Sequence, residues 1–189
     1  PIVLERGKCV SERAKDVQHF WNGGDLNTES NVQFGEGGAG TFSDGKLTTG
    51  IKDTRIHKVL SEFVSAGAPE EILYKNKPHI GSDLLRDVVA NLREEIIRLG
   101  GEIRFSSKLI GIDAPSAEIK AVEVQDVLSG KSYVLETEKL VLAIGHSARD
   151  TFRYAHELGI EMSAKPLRRI WGSAVAWSWV IICRMMVPL

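Results

Sequence analysis

The residues best placed to do chemistry run from Gly35 to Lys46, reading G-E-G-G-A-G-T-F-S-D-G-K. Five of them are glycines: Gly35, Gly37, Gly38, Gly40 and Gly45. Inside a helix or strand each would cost about 0.5–1 kcal/mol relative to alanine, so the run belongs to neither. Glycines admit positive φ and let a backbone lie flat on a ligand, with N–H groups turned to anionic oxygens. Ser43 and Asp44 add short polar groups and Lys46 adds a cation. Two readings follow, a loop wrapped on a phosphate-bearing cofactor or a surface turn cluster with no ligand, and composition does not choose between them. The run is neither G-x-x-x-x-G-K-[ST], since Leu47 follows Lys46, nor a G-x-G-x-x-G turn directly after a strand. An NTPase loop and the first turn of a nucleotide fold are therefore excluded.

The chain has 189 residues, enough for one domain with a sizeable core or for part of a larger one. Its 24 basic and 25 acidic residues balance to a net charge of −1. That balance gives no argument for nucleic acid or an anionic membrane surface, and neither partner is expected. The two cysteines, Cys9 and Cys183, follow no metal spacing and form no C-x-x-C redox pair. No metal is expected, disulfide-reductase chemistry is disfavoured, and a reduced, cytoplasmic setting is the natural reading. Pro1-Ile2-Val3-Leu4 reads as a strand at the very start, so the chain is expected to be a fragment of a longer protein.

The elements that must position the loop can be read from periodicity and punctuation. Ile2–Leu4 is a short apolar strand closed by Glu5-Arg6-Gly7. Val10–Trp21 reads as a helix broken at Asn22-Gly23-Gly24. Helical spacing of Ile56, Val59, Leu60, Phe63 and Val64 predicts a helix from Asp53 to Ala66, and Pro69 opens a short one through Tyr74. The strongest helix runs from Asp83 to Leu99, with Ser82 or Asp83 as cap, an i,i+4 pair of Glu94 with Arg98, and Gly100-Gly101 as stop. Strands follow at Glu102–Phe105 and Lys108–Ile112, then a hairpin of Ala121–Leu128 and Ser132–Leu135 turning at Ser129-Gly130-Lys131. Leu140–Ile144 is apolar throughout and ends at Gly145, the pattern of a strand buried on both faces. A helix is expected from Thr151 to Leu158. From Trp171 the composition changes: three of the four tryptophans and two of the three methionines fall there. The uncharged run Gly172–Cys183 spans 12 residues, short of the roughly 18–20 that cross a bilayer.

Taken in order, these pieces resemble the bacterial FAD-dependent dehydrogenases, flavoproteins of the glutathione-reductase-like FAD fold. The resemblance rests on Pro1–Gly7, on Leu26–Phe34 running into Gly35–Thr49, on Lys77-Pro78-His79-Ile80-Gly81, and on Leu142–Thr151, and it covers residues 1 to 166. It implies that Glu5, with Arg6 beside it, meets the ribose of the FAD adenosine. It implies that Gly37, Gly38, Ala39, Gly40, Thr41, Ser43, Asp44, Gly45 and Lys46 lie along the pyrophosphate, ribityl chain or flavin. Ile103 would offer backbone groups to the adenine. Ala143, Gly145 and His146 would form a late turn close to the cofactor, with Ile144 where the related motif carries threonine. Lys46 and His146 are the candidates for tuning or catalysis, with Arg149 and His79 behind them. His146 reads equally well as a cap of the following helix, and Arg149 and Asp150 as a mutual pair or as caps of that helix.

Two features depart from the pattern. The G-x-G-x-x-G turn of the first strand is absent, and past Lys165-Pro166 the chain diverges into a tail, 167–189, that reads as frameshifted. The implied architecture is a Rossmann-like layered α/β fold, incomplete, with a parallel sheet of Ile2–Leu4, Ile103–Phe105 and Leu140–Ile144. Helix 83–99 would cover one face and the hairpin would form a small antiparallel layer on the other. Residues 1–52 and 79–166 would be the partial FAD-binding domain, 113–137 its hairpin layer, and 53–78 a helical insertion towards a substrate domain. The implied partners are FAD, a small-molecule substrate and an NAD(P)H donor, although no second G-x-G-x-x-G is present. The alternatives are a flavin- or nucleotide-binding module without turnover, or an inactive truncated fragment.

Overall fold

The computed structural model describes residues 1–43, 45–47 and 52–162. Asp44, Lys165, Pro166 and the tail 167–189 lie outside the described residues. The chain forms two compact units, Pro1–Ser107 and the stretch from Lys108 onward. It is a mixed α/β structure with one parallel and one antiparallel sheet.

In the first unit, β1 (Ile2–Leu4) pairs in parallel with β2 (Glu102–Arg104), Val3 opposite Ile103. Three helices lie between them in sequence: α1 (Val10–Trp21), α2 (Arg55–Ser65) and α3 (Ser82–Arg98). Pairing continues past β1, where Glu5 N–H donates to the Arg104 carbonyl at 2.9 Å and Ser107 N–H to the Glu5 carbonyl at 3.0 Å. The residues just after β1 are thus clasped on both sides of Glu5.

The core of this unit joins α2, a tight turn at Glu70–Leu73, and α3 through Ala66, Ala68, Ile72, Ile80, Leu85 and Val88. Leu60, Phe63 and Val64 of α2 pack against it, which accounts for the spacing read from the sequence. The expected side-chain cap of α3 is not formed: Gly81, at φ +88°, precedes it and Ser82 is already helical. Asp83 still lies in the first turn, where its charge favours the helix dipole. The expected Glu94–Arg98 pair is also replaced, because Arg98 turns to Glu95 and Glu94 meets Arg93. The stop behaves as read. Gly100 at φ +82° donates to Ile97 O and Gly101 to Ile96 O, a Schellman closure shared by all four described helices.

In the second unit the order is β3 (Ser107–Asp113), β4 (Ala121–Asp126) and β5 (Ser132–Glu136), with β4 and β5 antiparallel. Helix α4 (Arg149–Glu157) is tied to β3 by Tyr154 OH, which accepts from Ile112 N–H at 2.8 Å, and by a Lys108–Asp150 ion pair at 2.8 Å. Leu140–Ile144 does not form the expected strand: Val141 is 75% exposed and Leu142 alone is buried, at 3%. A short apolar run looks the same whether one face or both are covered. Here only Leu142 reaches the interior.

Val88 sits at the centre of the first core at 1% exposure. Val88→Ala is expected to lower unfolding free energy by about 2 kcal/mol, as lost transfer plus a cavity. Val134→Ala, at a position 65% exposed, is expected to stay within about 0.5 kcal/mol. Urea unfolding of both variants against wild type reads the difference.

Candidate functional site

The loop is held from beneath by a residue that charge patterning did not single out. Val10, Arg13 and Val17 are the buried residues of α1, so Arg13 lies on the helix's inward stripe. Its side chain is 0% exposed. The guanidinium donates to four main-chain carbonyls: Asn31 at 2.8 Å, Val32 at 3.0 Å, Gly35 at 3.2 Å and Glu36 at 2.5 Å. Its flat face lies 4.8 Å from the centre of the Phe42 ring. Burial pulls its pKa down to about 10 while Glu5 and Glu36 pull it back up, so it is charged at neutral pH. The legible signal was an arginine placed on an otherwise apolar stripe, one loop away from a glycine cluster.

Glu36 is the second residue that sequence reading missed. Its carboxylate accepts from Val10 N–H at 2.7 Å, at the start of α1, and from Arg93 on α3 at 2.8 Å. One carboxylate therefore caps α1 and ties both helices to the loop.

Glu5 follows β1, and its carboxylate accepts from Gly7 N–H at 2.8 Å. A β-carbon at Gly7 would stand 2.6 Å from Gly35 Cα, so the turn after β1 and the loop touch backbone to backbone. Arg6 is turned to the segment before the loop, with Glu29 at 2.6 Å and the Phe34 ring at 4.6 Å.

The glycines of the loop sort by what surrounds them. At Gly35 a β-carbon would meet Arg13 Cδ at 2.4 Å, and at Gly37 it would meet Thr41 Oγ1 at 2.1 Å. Those two are explained by packing. At Gly38 and Gly40 no described residue lies within 4 Å of an added β-carbon. Between and beyond them Ala39–Phe42 form a single tight turn, with Thr41 wholly buried. Among the described residues, none accepts from the Gly37, Ala39 or Gly40 N–H. The hydroxyls of Thr41 and Ser30 are likewise buried without a hydrogen-bond partner among the described residues. Such a group costs about 1–3 kcal/mol when left unsatisfied. The loop thus combines open space with uncommitted donors, the arrangement that suits an anionic group laid along its backbone.

Ser43 closes the turn, its hydroxyl donating to Gly40 O at 2.8 Å and accepting from Gly45 N–H at 3.2 Å. Gly45 O then accepts from Ile80 N–H and Pro78 O from Leu47 N–H, which sets Lys46 directly opposite His79 in an antiparallel bridge. Directly opposed residues project to one face, so two side chains read separately in the sequence stand side by side. Ile103 lies on β2 opposite Val3. Ala143, Gly145 and His146 belong to the second unit, before α4. The cap position of that helix is Ala148, which makes no side-chain cap, and Asp150 Oδ1 accepts from Thr151 N–H at 2.9 Å in the first turn. Asp150 pairs with Lys108 rather than with Arg149.

An open groove of about 500 Å³ lies between α1 and α3, walled by Trp21 and Phe42 with Lys15, His19 and Arg86 around them. None of the expected cofactor contacts lines it. Among the described residues no group of three or more His, Cys, Asp or Glu side chains could hold a metal ion, and no helix is long and apolar enough to cross a membrane.

No family model matches the chain. A Clostridium beijerinckii protein described as an uncharacterized protein is 54% identical over 165 residues, which is 87% of this chain and 30% of that protein. The chain therefore spans about 30% of the length of this relative. Among solved structures, the flavin-dependent monooxygenase PieE in complex with FAD and substrate aligns at 13% identity and a TM-score of 0.41, covering 87% of this chain and 32% of that one. An engineered water-forming NADPH oxidase (TPNOX) bound to NADPH aligns at 13% identity and a TM-score of 0.25, covering 77% and 26%. Likenesses of that size do not define a fold.

Packing makes the glycines unequal. Gly37→Ala must displace a buried Thr41 and hold φ near +82°, and is expected to cost about 1–3 kcal/mol. Gly40→Ala meets nothing and is expected to change stability by less than about 0.5 kcal/mol. Thermal or urea unfolding of the two variants checks the order.

Proposed function

We propose that this chain is the FAD-binding segment of a flavin-dependent oxidoreductase whose substrate is a small molecule. The observation that carries this reading is the Gly37–Gly40 turn, open on one side and with the Gly37, Ala39 and Gly40 N–H groups meeting no described acceptor. A diphosphate supplies the acceptors such a turn calls for. Glu5 supports it from the end of β1, where an acid can accept from ribose hydroxyls. The resemblance of Glu5-Arg6-Gly7, the glycine loop and the Leu142–Thr151 stretch to FAD-dependent dehydrogenases points the same way.

The residues fit the group, and their roles follow. Glu5 would accept from the adenosine ribose. The backbone of Gly37–Gly40 would hold the phosphates. Ile103 would present backbone on β2. Lys46, beside His79, would place positive charge where the ring accepts electrons. Bound FAD supplies the electron transfer, and the chain's own work is to hold, orient and tune it. We further propose the Rossmann-like fold, the partition into 1–52 with 79–166 and 53–78, and an NAD(P)H donor for the longer protein. The activity of that protein is a proposal, since this chain spans about 30% of its relative.

Gly40→Leu separates cofactor binding from folding. It fills the open side of the turn, so FAD affinity is expected to fall at least tenfold while the urea midpoint holds. Titration of wild type and variant, read by flavin fluorescence, checks it. Saturable quenching at micromolar FAD by wild type alone supports the proposal, and no saturable quenching by wild type contradicts it.

A further inference from the structure

We propose that Arg13 is a positioning residue: it sets the shape of the 31–42 loop that receives the cofactor without itself touching it. This deepens the reading above and rests on it for the identity of the ligand. The warrant is geometric. A guanidinium offers five donors in a planar fork, and here it reaches carbonyls of four residues on both sides of the loop's first bend. An ammonium offers three donors from one point and cannot span that set. The packing is equally specific. Gly35 lacks a side chain because Arg13 Cδ occupies that space, so the first glycine of the cluster serves the arginine and not a ligand. The Phe42 ring, at the far end of the turn, lies against the same guanidinium. One side chain therefore fixes the loop at 31–32, at 35–36 and at 42.

The carboxylates of Glu5 and Glu36 favour the charged form of Arg13. Glu36 belongs to the loop and also holds the start of α1 and Arg93. Glu5 is the acid expected at the ribose. The core of the unit does not share this dependence, since it is built from Ile72, Ile80, Leu85, Val88 and their neighbours. Loss of Arg13 should loosen the loop and leave that core intact.

The test uses the 189-residue chain without FAD, as wild type, Arg13→Lys and Arg13→Ala. Backbone amide exchange is followed for residues 31–43 and, as internal reference, for residues 84–92 of α3. Both variants are expected to exchange at least tenfold faster over 31–43 with α3 unchanged. Ethylguanidinium is expected to restore protection to Arg13→Ala, and ethylammonium is not. FAD titration forms a second arm, in which affinity falls with loop protection and returns with ethylguanidinium. Unchanged exchange over 31–43, exchange of α3 that rises in step with the loop, or rescue by both additives or by neither overturns the proposal. Loosening and rescue in a chain whose wild type binds no FAD would overturn the cofactor reading and leave the positioning role standing.

Discussion

A charged guanidinium sits at the centre of this structure with no access to water. Such a group is costly to bury unless each donor and the charge itself are answered. The Arg13 surroundings answer the donors with four carbonyls from the loop, and Glu5 and Glu36 favour the charged form. Much of the local architecture follows from that requirement. The loop must bend so that residues 31–32 and 35–36 face one point. Gly35 must lack a side chain, and Gly7 must too, because the loop is thereby pressed onto the turn after β1. Glu36 then becomes the joint at which α1, α3 and the loop meet.

The same constraint separates structural glycines from those free to serve a ligand. Glycine clusters are usually read as one feature. Here Gly35 and Gly37 accommodate Arg13 and Thr41, Gly45 lies against Gly81 and Leu85, and Gly38 and Gly40 meet no described residue. What a cofactor would meet is therefore a short turn set between packed glycines. Its end is fixed in turn by the 45–47 to 78–80 pairing, which joins the glycine loop to the Lys77–Gly81 segment. Two motifs far apart in the sequence thus form one continuous surface carrying Lys46 and His79.

Elements whose information is local were legible in the sequence. The four helices, the glycine stops of α1 and α3 and the hairpin lie close to where periodicity and turn chemistry put them. The cap of α3 and the partner of Arg98 were not, because neighbouring acids compete on equal terms and only the realised rotamers decide. Leu140–Ile144 was misread because apolar composition reports affinity for an interior, not how many faces one is offered. At the site, the glycine loop and Glu5 were visible from residue type. Arg13 and Glu36 were not, since their roles come from carbonyls and helices that are distant in sequence. The one trace of Arg13 was its position on the inward stripe of α1 between Val10 and Val17.

The central claim is that the open turn at Gly37–Gly40 is a cofactor seat held ready by the residues beneath it. The most direct measurement is residue-resolved amide NMR of the chain titrated with FAD. The account predicts saturable shifts of the Gly37, Gly38, Ala39 and Gly40 amides, together with those of Glu5 and Gly7, at a single common affinity. Shifts confined to other parts of the chain, or none at all, would contradict it.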